Sequence, residues 1–244
     1  MKDNICYFDE SYIFFYTDYL NDNITIEEVK FIKNQINSDS KVLDICCGHG
    51  RHTIELSKLG VNIIGIDNSS EAIKLAKKKA VESNLNPNIF QEVDVFQFNT
   101  TGQFDCIILE CNTLGLFAKK DVDLLIKMKS MLKDNGKIIL DVLNKNFFTS
   151  HYQKQHWFTK DNDLVLNQYD YNDNKTAINV KEIRIIDNIR NDYNCTLNLY
   201  TLDDLKNILT KLDLNIINVY EDYKQNIFNN KTSRNIVLTL NKSA

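Results

Sequence analysis

The amino-acid sequence predicts an α/β fold, a doubly wound and mostly parallel seven-stranded sheet carrying a small antiparallel β insertion. Three observations predict it. Short apolar runs alternate with amphipathic helical segments from residue 24 to residue 143, the pattern of βαβ units with helices on both faces of a sheet. The runs are mainly apolar and do not alternate with polar residues, as suits strands buried on both faces. After Asn144 the texture changes to polar and aromatic stretches that suit antiparallel strands.

In chain order, residues 24–37 form a helix, with Thr25 and Glu28 in capping-box spacing and Ile24 and Val29 stapled across its start. Val29, Ile32 and Ile36 then face inward. KVLDIC (41–46) is the first strand, and Gly48, His49 and Gly50 turn it into a helix that Gly60 closes. Val61–Ile66 is the second strand, ending at Asp67, and Asn68 with Glu71 caps the next helix. Ile89–Val93 and FDCIIL (104–109) are the third and fourth strands, ending at Asp94 and Glu110. A helix over about 119–133 stops at Asn135-Gly136, and KIILDVL (137–143) is the fifth strand. Residues 164–171, 176–187 and 193–200 are antiparallel strands of an insertion spanning 144–200. Thr201 caps a helix with Leu205, Ile208, Leu209 and Leu212 on one face, and strands near 214–223 and 234–240 complete the seven. No repeat or linker divides the chain, so 1–244 reads as one domain.

Composition narrows the function. Hydrophobic residues make up 43% of the 244, enough for an ordinary core. A formal net charge of -4 disfavours a nucleic-acid partner, which calls for a basic surface. The six cysteines, at 6, 46, 47, 106, 111 and 195, follow no disulfide framework. MKDNICYFDE is too acidic and polar for a signal peptide, and no apolar run approaches the roughly 20 residues that span a bilayer. The expectation is a cytoplasmic monomer or homodimer with no membrane partner.

The chemistry sits in VLDICCGHGRHT (42–53). A buried strand carrying Asp44 passes through a glycine turn into a helix. Gly48 and Gly50 let a ligand lie against the backbone where a Cβ would block it, and the helix start offers unpaired N–H groups. Asp67 can accept both hydroxyls of a ribose, and Asp94 is placed to accept from an adenine amino group. A dinucleotide fingerprint would want glycine at 53, which is Thr, and would set Asp44 against a pyrophosphate. An acid there instead favours a cofactor that is cationic at its reactive end.

The same segment resembles the first motif of class I S-adenosylmethionine-dependent methyltransferases. IIGIDNSSEAIKLAKKKA, QEVDVFQF, FDCIILECNTLGLF and GKIILDVLN resemble the segments that follow it in that family, so the likeness covers about residues 41–144. CCGHGRH, the aromatic stretch Tyr12–Tyr19 and the C-terminal YTLDDLKNILTKLDLNIINVYEDY and SRNIVLTL are similar to a subset acting on small molecules. Cys47, where glycine is usual, and Asn68, where an apolar or larger residue often meets adenine, depart from the pattern. The resemblance implies a Rossmann-like fold, S-adenosylmethionine as cofactor, and methyl transfer to an O, N or C atom of a small-molecule acceptor. Carried over by position, it implies that Asp44 and the Gly48–Gly50 backbone hold the methionine part and Asp67 the ribose. Asp94 and the Val95 N–H would bind adenine with Asn68 beside it, and Glu110 and Cys111 would line the cleft near the methyl group. Arg51 and His52 either help to hold the carboxylate or fix the turn.

Further expectations concern the ends of the cleft. Tyr12, Phe14, Phe15, Tyr16 and Tyr19 form either a lid over the cofactor within residues 1–23, with Tyr16 as its contact, or simple packing against the helix at 25–37. The insertion starts at the carboxyl end of the fifth strand, the rim where open α/β sheets bind ligands. His151, His156 and Tyr169 are its candidate catalytic residues, an imidazole serving as proton acceptor, unless the insertion only covers the sheet or dimerises. The two histidines do not share a helix face and suggest no metal site, and Asp141 with Asn144 only faintly echoes a magnesium site. The D/N-P-P-Y/F turn of base-modifying amino enzymes is absent, and the only proline, Pro87, precedes Asn88, so the Pro-Cys of cytosine-C5 enzymes is absent too. Two alternatives stay open: another S-adenosylmethionine-dependent reaction such as cyclisation, and a non-catalytic cofactor-binding regulatory protein, whose insertion would fill the cleft with apolar side chains.

Overall fold

The structure is a computed structural model and describes residues 8–16 and 22–243. Helices α1 (Glu10–Tyr16) and α2 (Asp22–Asn34) precede β1 (Lys41–Ile45), α3 (Arg51–Lys58), β2 (Asn62–Asp67), α4 (Ser70–Glu82) and β3 (Phe90–Glu92). Then come β4 (Phe104–Leu109), α5 (Asp121–Met131), β5 (Leu132–Leu143) and α6 (Lys145–Ser150). Strands β6 (Gln155–Lys160), β7 (Asp163–Tyr171), β8 (Ala177–Ile186) and β9 (Ile189–Asn198) lead to α7 (Leu202–Lys211), β10 (Leu214–Tyr220) and β11 (Asn235–Lys242).

The main sheet has seven strands in the order β10-β11-β5-β4-β1-β2-β3, and β6-β7-β8-β9 form a second sheet of four. Strands β1 to β5 pair in parallel, whereas β11 runs antiparallel to both neighbours. The mostly parallel sheet with an antiparallel insertion that the sequence predicts is thus present. Alternate side chains leave a strand on opposite faces, and here both faces are covered. Val42, Cys106, Ile108 and Val237 pack on α2 and α3; Leu43, Ile107, Ile138 and Leu238 pack with α5 and α7.

Several elements depart from expectation. Helix α2 begins at Asp22, so Thr25 and Glu28 lie inside it as buried residues rather than forming a capping box, and Ile24 is exposed. The cap of α4 is Ser69, whose hydroxyl accepts from the Ala72 N–H at 3.2 Å, not Asn68. Strand β5 starts at Leu132: Phe104 pairs with Leu132 but Cys106 with Lys137, so residues 133–136 bulge within the strand instead of ending α5. A Cβ on Gly136 would stand 3.0 Å from the Phe104 carbonyl oxygen, which explains the glycine in that bulge. Helix α6 and edge strand β6 are additional elements.

Polar contacts fix the second sheet and α1 relative to the main sheet. Asp121, buried at the start of α5, accepts from the Gly115 and Phe117 N–H groups (3.1 Å each), Asn198 Nδ2 (2.6 Å) and the Tyr200 hydroxyl (2.7 Å). It thereby ties the loop after β4 to the end of β9. On β8, Arg184 and Glu182 are both fully buried and paired with each other. Arg184 Nη1 also donates to Asp9 Oδ1 at 2.8 Å, its guanidinium lies 4.0 Å from the Tyr193 ring, and the Tyr16 hydroxyl donates to Glu182 at 2.7 Å. Two buried charges need such partners, and meeting that need pins α1 to the second sheet. Arg184→Met, which strands the Glu182 carboxylate, should therefore lower the unfolding free energy measured in urea by about 3–5 kcal/mol, and the paired change Glu182→Met with Arg184→Met should recover most of the loss.

Candidate active site

The carboxyl ends of the main-sheet strands and the second sheet enclose a cavity of about 850 Å³. After β1 the chain turns through Cys46 (φ 57), Gly48 (φ 54) and Gly50 (φ 82), all left-handed, which delivers it into α3. The two glycines are needed for different reasons. A Cβ on Gly48 would have nothing within 4 Å, and Gly48 lines the cavity; a ligand can lie against it. At Gly50 a Cβ would stand 2.5 Å from Phe90 Cζ, and Gly50 is buried away from the cavity wall. The glycine requirement there comes from packing against β3, not from a ligand.

The acids of the rim are held by backbone and hydroxyl donors. Asp67 Oδ2 accepts from the Gly48 N–H and Oδ1 from the Ser69 N–H, both at 2.9 Å, so the acid closing β2 also holds the turn after β1. Asp44 accepts from the Thr53 hydroxyl at 2.7 Å, which gives the residue at that helix position its use. Burial raises both carboxyls above their ordinary range, offset for Asp44 by His52, Thr53 and Arg51, and for Asp67 by the N–H groups of Ser69, Gly48 and Asn68. A cation placed beside them would lower both. Asp94 accepts from the Phe96 N–H at 2.8 Å. Val95 is buried outside the wall, and Phe96, edge-on to Phe117 at 5.9 Å, lines the cavity instead.

Behind the turn lies a buried ion-pair cluster. Arg51 Nη1 donates to Glu28 and to the Thr25 hydroxyl (3.2 Å), Arg51 Nη2 donates to Cys111 Sγ (2.9 Å), and His52 Nε2 is 2.8 Å from Glu28 Oε2. Burial alone would raise Glu28; His52 and Arg51 reverse this and hold it below the ordinary carboxylate value. The Thr25–Glu28 spacing serves α3, not the start of α2. At the end of β4, Tyr223 donates to Glu110 Oε2. Burial, followed by the charges of Asp141 and Glu28, raises Glu110 far above its ordinary value and so favours its protonated form. Asp141 accepts from the Asn112 N–H at 2.9 Å and is pushed up to about 7, mainly by burial. His49 Nδ1, Glu110 Oε1 and Asn112 Oδ1 are buried atoms of cavity-lining residues without a partner among the described residues. Such a set suits a polar ligand, because buried polar atoms otherwise find partners.

The opposite wall comes from α6 and the second sheet. Asn167, Tyr169, Ile178, Val180 and Cys195 line it, at alternate positions that share one face of the sheet. Burial pushes the Tyr169 hydroxyl up to about 12. His151 also lines the cavity, with Nδ1 at 3.0 Å from the Phe147 carbonyl and its ring stacked on Phe147 at 4.0 Å. His156 is not brought to the site. It faces Asn167 across the β6–β7 pair, but β6 is the edge strand, so its exposed ring lies one strand beyond the cavity.

Tyr12 and Tyr16 line the cavity from α1, stacked at 4.5 Å, although the Tyr16 hydroxyl is directed to Glu182. Tyr19 lies outside the described residues. Cys111, Asn68 and Arg51 line the cavity as well. Sequence reasoning missed Phe96, Asn167 and Arg234 on its wall. Among the described residues there is no cluster suited to holding a metal ion, no helix is long and apolar enough to cross a membrane, and Cys46, Cys47, Cys106 and Cys111 are free thiols.

Residues 36–211 match a family profile described as a methyltransferase domain. The chain is 31% identical over 117 residues, 46% of each chain, to YqeM of Bacillus subtilis, which carries a provisional methyltransferase name. It spans about half the length of the curated relatives it matches. Its fold is similar to that of an S-adenosylmethionine-dependent methyltransferase from Clostridium acetobutylicum, with a TM-score of 0.80 at 18% identity over 98% of this chain and 100% of that one. It is also similar to the CcbJ methyltransferase of Streptomyces caelestis, with a TM-score of 0.79 at 16% identity over 90% of both chains. Identities that low speak for the fold alone.

The rim acids imply a pH dependence. Glu110 and Asp141 have folded-state pKa values above those of the unfolded chain, so their stabilising effect is complete below about pH 4 and is lost, for Asp141, as pH rises through about 7. Urea midpoints should therefore fall between about pH 5 and about pH 8. Asp141→Asn, which keeps an acceptor for Asn112 but cannot ionise, should flatten that fall; an unchanged slope would remove Asp141 from the explanation.

Proposed function

Since this chain belongs to the methyltransferase-domain family, we propose that it binds S-adenosylmethionine in the cavity and transfers the methyl group to an O, N or C atom of a small-molecule acceptor in the cytoplasm. The observation that carries this reading is one continuous cavity with two chemistries. Asp44, Asp67, Asp94 and Glu110 stand on the strand rim, and an aromatic, acid-free wall stands on the second sheet.

On this reading Asp44 faces the cofactor's ammonium, the backbone at Gly48 gives room to its amino-acid end, and Asp67 accepts from the ribose hydroxyls. Asp94, Asn68 and Phe96 surround the adenine, and Arg51 acts by fixing the turn through Glu28. Bound S-adenosylmethionine supplies a sulfonium methyl that is already activated, so the protein's task is alignment and exclusion of water. Glu110 and Cys111 wall the methyl end, where burial favours the protonated form of Glu110. His151 takes the proton from the acceptor, while Tyr169 remains protonated and donates to it. The 144–200 segment is the acceptor-side insertion of one domain, and α1, pinned to that insertion, is part of the lid.

Two measurements test the reading. S-adenosylhomocysteine should bind in calorimetry at micromolar or tighter levels, and Asp67→Ala should weaken that binding by about 1–3 kcal/mol; unchanged affinity in a folded variant would take Asp67 out of the site. Incubation with methyl-labelled cofactor and fractionated metabolite pools should yield a labelled product heavier by one methyl group. Cofactor consumption without that mass gain would instead mean a different reaction in the same cavity.

A further inference from the structure

The acceptor end of the cavity holds a charge that methyl transfer itself does not use. The chain has four arginines. Arg51, Arg184 and Arg190 are each paired with a carboxylate. Arg234 lines the cavity and has no acidic partner among the described residues. The four carboxyl residues of the lining, Asp44, Asp67, Asp94 and Glu110, all stand on the strand rim, where the cofactor is read. Among the described residues, the wall that Arg234 shares with His151, Gln153, Asn167 and Tyr169 carries no acid.

The position of Arg234 is built into the fold. Its carbonyl accepts from the Asn144 N–H at 2.9 Å. Asn144, fully buried at the end of β5, donates from Nδ2 to the carbonyls of Ser233 at 2.8 Å and Asn230 at 3.0 Å. The Ser233 hydroxyl, also fully buried, accepts from the Asn229 N–H at 2.8 Å and donates to Glu221 at 3.1 Å. The segment entering β11 is thereby locked to the sheet while the Arg234 side chain stays exposed at the cavity edge. Its charge reaches Tyr169, where it opposes the rise that burial imposes on the hydroxyl. A guanidinium carried on this fixed backbone, with no acidic partner among the described residues, presents paired N–H donors that match the oxygens of a carboxylate or phosphate.

We infer that Arg234 binds an anionic group of the methyl acceptor, so that the substrate is an acidic small molecule, a carboxylate or a phosphate ester, rather than a neutral or cationic one. The inference rests on the reading of the second-sheet wall as the acceptor site. The aromatic and aliphatic residues beside it would receive the uncharged body of the same molecule.

The test uses benzoate, phenyl phosphate and neutral benzamide as probes, titrated calorimetrically into the full-length protein with and without saturating S-adenosylhomocysteine. At least one anion should bind about tenfold or more tightly than benzamide, the advantage expected of a charged hydrogen-bonded pair. R234Q should abolish that advantage and R234K should keep part of it, with S-adenosylhomocysteine affinity unchanged in both. The anion with the larger advantage identifies carboxylate or phosphate as the group read. The inference is overturned if benzamide binds as tightly as both anions, if the advantage survives R234Q, or if neither anion binds at millimolar concentration. Loss of S-adenosylhomocysteine binding in the wild-type protein would remove the methyl-transfer reading instead, and the anion titration without it would still decide the role of Arg234.

Discussion

The buried carboxylate of Glu28, shared by Arg51 and His52, is the interaction on which the rest of the site depends. It joins the middle of α2 to the first turn of α3, and Arg51 extends the link to Cys111 in the loop after β4. Helix α2 is thus fixed by one ion-pair cluster to α3 and to the loop after β4, and the latter two line the cavity. Burying it is tolerable because every charge in it has a partner, whereas removing one partner would leave an uncompensated ion in a low-dielectric region. The cluster also sets the charge of its neighbours. Arg51 and His52 limit the rise that burial imposes on Asp44, while the negative charge of Glu28 helps to push Glu110 and Asp141 toward their neutral forms.

This electrostatic arrangement divides the cavity. Asp44 and Asp67 stay on the strand rim as acceptors whose burial is offset by hydroxyl and N–H donors, a setting that a positively charged ligand would complete. Glu110 faces the same space, its carboxyl pushed by burial toward the protonated form. The second sheet contributes hydrogen-bonding tips and apolar surface, with its own buried charges cancelled internally by the Arg184–Glu182–Asp9 network. That network also holds α1 against the second sheet, so one set of contacts places Tyr12 and Tyr16 on the cavity wall.

The βαβ core was legible because its signal is local. KVLDI, NIIGID and FDCIIL are mostly buried and read as short, mainly apolar runs rather than alternating ones. Thr201 capped its helix as expected, for Asp204 completes the reciprocal bonds within four residues. What was hidden depends on partners distant in the chain. Thr25 and Glu28 show the spacing of a capping box, yet their partners lie on α3. Gly50 has the spacing of a ligand-contacting glycine, but Phe90 imposes it. Edge strand β6 is mostly exposed and lacks the alternation of burial that marks a strand. The link from Asp9 to Arg184 joins residues separated by 175 positions, which no local pattern reveals. The acids that line the cavity could be picked out in the sequence because each follows a strand or lies within one at the rim, whereas Arg234 owes its position to Asn144 and could be found only from the fold.

A crystal structure grown with S-adenosylhomocysteine tests the division of the cavity most directly. The account requires the amino-acid end of the ligand against Asp44 and Gly48, the ribose hydroxyls on the Asp67 carboxylate, and the adenine between Asp94 and Phe96, with the sulfur directed toward the second sheet. Density for the ligand elsewhere, or in the cavity with the adenine on the Tyr169 and Arg234 wall, would contradict it.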